Sequence, residues 1–139
     1  MANFFYNSFK LHVGNDTIDL DGDVIKCALL TSSHVPSAGY ETFAEVSSDE
    51  VSGSGYTAGG TTLTNITWSS TGTEAAYFNA DDPLWSDATF TARYAVFYDD
   101  TTTFPADVLM CMYDFVTDQF VNNGSFRLTL NPQGLFKIE

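Results

Sequence analysis

Basic residues are scarce in this chain: five lysines and arginines stand against eighteen aspartates and glutamates in 139 residues, a formal charge of −13. A surface this acidic repels phosphate backbones, which excludes general nucleic-acid binding and suits solubility or a cation-bearing partner surface. Long apolar runs are missing too. No stretch approaches the ~20 residues of a membrane-spanning helix, and MANFFYNSFK at the N-terminus lacks a basic segment followed by an apolar run. The expectation is therefore synthesis in the cytoplasm without Sec export, and the sequons at Asn15, Asn65 and Asn123 then carry no glycosylation meaning. Cysteine is limited to Cys27 in VIKCALL and Cys111 in LMCMYDF, both inside apolar runs. They read as buried free thiols rather than a disulfide, and with the distant His12 and His34 they form no zinc pattern.

Long helical periodicity is also lacking, which argues against a parallel α/β sheet. What the chain has instead is aromatics, 12 Phe and 7 Tyr, which favour strands. Short strand-like runs follow one another: TTLTNITWS, EAAYFNA, ATFTARYAVFYDD, VLMCMYDFV, GSFRLTL and GLFKIE. Between them lie turn residues such as Asp81-Asp82-Pro83, Asp99-Asp100-Thr101, Phe104-Pro105 and Asn122-Asn123-Gly124. The pattern predicts a single all-β domain over 1–139, an antiparallel β-sandwich or jelly-roll-like fold. ARYAVFY, nearly continuous in apolar residues, reads as a central strand covered on both faces. In SFRLTL, Phe126, Leu128 and Leu130 alternate with polar residues, so that strand has one solvated face. Asn123-Gly124 is expected to make the tight turn pairing it with DQFV.

Four other segments stand out. Residues 1–12 are read as a short N-terminal helix or an arm, with Phe4, Phe5, Tyr6 and Phe9 packed on their own domain or docked on a neighbour. Thr17 to Leu30 alternates about Asp21-Gly22-Asp23, as a β-hairpin or bent strand pair does. Residues 32–54 form an excursion from the sheet, with one or two helical turns in TFAEVSSDEV. EVSGSGYTAGG then sets four glycines around Tyr56, and without the lysine and hydroxyl that end a P-loop it reads as a structural loop. Tyr56 is the candidate anchor of that loop, on the sandwich or on a neighbour.

No catalytic set converges. DLDGD resembles a calcium loop only in part, because the twelfth position holds Leu30 rather than glutamate. Strand alternation would put Asp19, Asp21 and Asp23 on one face, where a shared cation is one reading and a solvated acidic hairpin the default. No G-x-S-x-G elbow occurs, and His12 and His34 read as surface or loop residues without partners. Trp68, Trp85, Tyr77, Tyr94, Tyr98 and Tyr113 are core or interface aromatics by default and a sugar-binding platform by the alternative.

Taken end to end, MANFFYNSFK, TIDLDGDVIKCALLTS, EVSGSGYTAGG, TARYAVFYDD and GSFRLTLNPQGLFKIE resemble small acidic virion structural proteins of tailed bacteriophages, most of all head decoration (cement) proteins. The resemblance implies a non-enzymatic protein without cofactor, placed on the capsid exterior of the virion. Its implied partners are the major capsid protein and further copies of itself, a trimer about a symmetry axis. Phe4, Phe5, Tyr6, Phe9 and Tyr56 are the candidate interface residues. A tail or head-fibre component with lectin-like binding to host-surface glycans is the alternative.

Overall fold

The computed structural model describes residues 4–138 apart from 71, 73, 74 and 133. The chain is mostly antiparallel β-sheet with one short helix near the N-terminus. Its elements are β1 (Phe4–Phe5), α1 (Asn7–Gly14), β2 (Ile25–Leu30), β3 (Thr61–Thr62), β4 (Thr67–Ser70), β5 (Ala76–Asn79), β6 (Leu84–Thr103), β7 (Ala106–Arg127) and β8 (Phe136–Ile138). Five strands form one sheet in the order β1-β7-β6-β2-β3, and β4-β5-β8 form a second. Among the described residues no helix is long and apolar enough to cross a membrane.

The sheet is organised by one long hairpin, β6 and β7, of 20 and 22 residues. Tyr94 to Tyr98 lie between β2 and β7 and are all buried, which is why ARYAVFY tolerates almost no polar residue. Each of its large apolar side chains contributes roughly 1.5–3 kcal/mol by leaving water. Cys27 and Cys111 both lie opposite Phe97, one on each side of β6. Two strand spacings, roughly 9–10 Å, separate them, beyond the ~7 Å a disulfide spans, and burial raises both thiol pKa values.

Several local expectations are corrected. Asn123-Gly124 is not a hairpin turn but lies inside β7, where Asn123 takes a φ of +49° at a shift in register. Asp99-Asp100-Thr101 likewise lies inside β6, and the hairpin turns at Phe104-Pro105 instead. A bulge bends and twists a strand without ending it, so turn-forming residues fit its interior. Thr17 to Leu20 is not a strand: Ile18 and Leu20 point inward from a turn, and their alternation reports burial alone. The SFRLTL alternation holds, with Leu128 and Leu130 buried and Ser125, Arg127 and Thr129 exposed.

His12 and His34, expected at the surface without partners, are both buried and each lies within hydrogen-bonding distance of a carboxylate. His12 Nε2 lies 2.9 Å from Glu41 Oε1, and His34 Nδ1 lies 3.0 Å from Asp49 Oδ2. Both carboxylates come from the excursion, whose helical turns are 3₁₀ turns at Phe43–Glu45 and Ser47–Asp49. His12 thus ties that excursion to the helix, and His34 closes the excursion on itself just beyond the end of β2. Spacings of 29 and 15 residues hid these pairs from any local reading.

Candidate functional site

The glycine-rich loop closes the outer edge of β2. Beyond the two pairs that β3 makes, at Lys26 and Cys27, Ile25 O accepts from Leu63 N–H at 2.8 Å, and Leu29 and the following Thr31 find partners in the loop and excursion. Leu29 N–H donates to the Tyr56 hydroxyl at 2.9 Å, Val51 N–H donates to Leu29 O at 2.9 Å, and Thr31 N–H donates to Asp49 O at 2.9 Å. The Tyr56 hydroxyl donates in turn to Glu50 Oε2 at 2.6 Å, which also accepts from Gly59 N–H at 2.7 Å. Tyr98 hydroxyl donates to Gly59 O at 2.6 Å. An edge so completely engaged does not offer itself to another strand.

Tyr56 is therefore an anchor of its own domain. Its half-buried ring lies against Trp85 and Phe90, at 6.1 and 5.7 Å between centroids. Burial and the Glu50 carboxylate push its hydroxyl pKa well above the ordinary value. Tyr6, another candidate interface residue, is wholly buried and belongs to the core. An aromatic in an N-terminal segment looks the same in sequence whether it docks inward or outward. Trp85, Tyr94 and Tyr98 are also buried, so the six aromatics considered for a sugar platform do not share one exposed face.

Phe5 and Phe9 do come together. Their rings stack at 5.4 Å, and Phe136 of β8 meets both edge-on at 5.2 and 5.6 Å. Phe4, the neighbour of Phe5 in β1, is half-buried and instead packs T-shaped on Tyr6 at 5.3 Å. With Val13 and Ile138, Phe5 and Phe9 line an open concavity of about 400 Å³, bordered by Lys10 and Lys137. Two of the chain's five basic side chains thus border one apolar hollow on a molecule of charge −13. The lysines are 127 positions apart in sequence, and only the packing of α1 against β8 brings them together. Sequence reading missed them for that reason.

A second concentration of polar groups lies at the β6–β7 turn. Asp99 is completely buried, its Oδ1 accepting from Thr101 N–H at 2.9 Å, and its carboxyl faces that of Asp23 at hydrogen-bonding range. Burial first, and Asp23 second, push the Asp99 pKa up to about 8 from an ordinary 3.8. The folded chain thus holds a proton there that the unfolded chain releases above about pH 4. In metal-free buffer this group's contribution makes stability fall as pH rises between those values. Asp99→Asn, whose amide donates to Asp23, is expected to remove that slope in urea titrations and to add on the order of 2–4 kcal/mol at pH 7.

Val116, on β7, is strained and exposed. It is a β-branched residue at a φ of +73°, in a bulge where Ala92 pairs with Gln119 and Tyr94 with Asp114. Arg93 fixes the bulge from the other strand, Nε donating to Asp114 Oδ1 at 2.8 Å, and Phe120 stands exposed beyond it. This pairing lowers the Asp114 pKa. Comparison of the chain with protein-family models, curated proteins and solved structures finds no match to any of them.

Proposed function

We propose that this is a non-enzymatic virion structural protein of a tailed bacteriophage, a head decoration protein that binds the major capsid protein from outside. The observation that carries the reading is the apolar hollow of Phe5, Phe9, Val13 and Ile138 with Lys10 and Lys137 at its border. Supporting it are the resemblance of the sequence to small acidic phage proteins and the sealed β2 edge, which suits a protein attached side by side at high copy number. Reinforcing a capsid requires binding energy spread over a repeated interface, with buried aromatics contributing much of it. Lysines beside an apolar hollow fit an apolar side chain flanked by carboxylates on the partner.

Copy number in purified particles tests the reading. Decoration predicts a stoichiometry comparable to that of the major capsid protein, and a few copies per particle would place the chain in a tail or fibre instead. The surface is tested separately with Lys10→Glu, an exposed change expected to leave folding stability within about 0.5 kcal/mol. Attachment to particles lacking the protein is expected to weaken about tenfold, roughly 1.4 kcal/mol. Unchanged attachment would remove the hollow from the interface.

A further inference from the structure

We infer that the carboxylates of Asp23 and Asp99 form a binding site for a hard divalent cation, calcium being the best fit, at the turn of the β6–β7 hairpin. Two carboxylates at hydrogen-bonding range require a positive species between them, a proton or a metal ion. The Oδ2 atom of Asp99 is wholly buried and meets no hydrogen-bond donor among the described residues. Asp23 borders a polar cavity of about 280 Å³ whose other walls are Thr17, Thr101, Thr102, Thr103 and Phe104. Hydroxyl, carbonyl and carboxylate oxygens are the ligands calcium takes, in irregular arrangements of six to eight with water completing the shell.

The surroundings hold the two acids in place. Asp19 N–H donates to Asp23 Oδ2 at 3.0 Å, and Asp23 N–H donates back to Asp19 O at 2.9 Å. Asp19, itself exposed, accepts from Gly22 N–H at 3.2 Å. Val24 N–H donates to Thr101 Oγ1 at 2.7 Å, joining this loop to the hairpin. The nearby ammonium, Lys26, is engaged by Asp100 at 3.4 Å on the same strand pair. Asp19, Asp23, Asp99, Asp100 and Asp107 thus crowd one end of the sheet against a single lysine. Among the described residues no three His, Cys, Asp or Glu side chains converge as a ready metal cluster, so the site has two carboxylates and draws its other ligands from threonine oxygens, backbone and water. This differs from the loop reading of DLDGD, in which Asp19, Asp21 and Asp23 would share the ion; here Asp23 turns toward β6, away from exposed Asp21.

Thermal unfolding of the whole chain, with calcium chloride at millimolar concentration against EDTA, tests the site. Calcium is expected to raise the Tm of the wild type by about 5 °C or more, as a ligand that binds only the folded state does. Isothermal titration should give one ion per chain. Asp99→Asn and Asp23→Asn are each expected to abolish the response, while Asp118→Asn, an exposed change on β7, keeps it. Asp99→Asn is expected to keep or raise the Tm in EDTA, so a lost response at an undiminished Tm is not a folding defect. No calcium response in the wild type would assign the pair to a shared proton and overturn the proposal. So would a response that survives both Asp23→Asn and Asp99→Asn, which would mean diffuse binding to the acidic surface.

Discussion

Alanine at Gly60 is expected to destabilise the fold by about 3–5 kcal/mol, roughly a fifth or more of what a domain ordinarily has. Gly60 adopts a φ of +82°, and a Cβ built there meets Cys27 O at 2.0 Å and Ala28 Cα at 2.7 Å. Both atoms are backbone of β2, buried and held between β3 and β6, so they cannot yield as a flexible side chain would. Two terms therefore add: the strain of an L residue in left-handed backbone, and the overlap that prises β3 from β2. Gly72 separates them. Its φ is +80° and no atom of the described residues lies within 4 Å of an added Cβ, so Gly72→Ala carries the backbone term alone, about 1 kcal/mol. Denaturant midpoints should therefore fall severalfold further for Gly60→Ala than for Gly72→Ala. Equal losses would mean that the loop does not seat against β2.

The contrast shows what the sequence conveys about this loop and what it withholds. Four glycines in EVSGSGYTAGG announce close backbone approach or positive φ, and both occur at Gly60 and Gly55, the latter against Ala88 Cα and Asp87 O. Which strand they approach is not written locally, because β2 lies some thirty residues earlier and β6 some thirty later. The same limit explains the other misses. A dipeptide such as Asn123-Gly124 specifies a left-handed residue, which a bulge satisfies as well as a turn does. His12 with Glu41, His34 with Asp49, Lys10 with Lys137 and Asp23 with Asp99 are each made by topology. Strand content, the buried centre at ARYAVFY, the short N-terminal helix and the one-sided SFRLTL were legible because alternation and apolar runs report burial directly.

Removing the ring of Phe136 is the other large effect expected, about 4–5 kcal/mol for Phe136→Ala. Phe136 is 7% exposed, stacks on Phe78 at 5.0 Å within the small sheet, and tilts on Trp68 at 6.3 Å. Across the gap it meets Phe5 and Phe9, which β1 and α1 bring to the large sheet. One side chain thus joins both sheets, and a cavity there cannot close without moving one sheet against the other. Phe136→Leu retains most of the volume and is expected to lose less than half as much. The loss should also be non-additive with Phe9→Ala, since each change removes part of the other's contact. Because Phe5 and Phe9 line the lysine-bordered hollow, Phe136→Leu should weaken particle attachment even where the chain remains fully folded. Lys10→Glu should do so without touching stability. A Phe136→Leu chain that is destabilised yet attaches as tightly as the wild type would mean that the aromatic cluster serves the core alone, with the partner bound elsewhere.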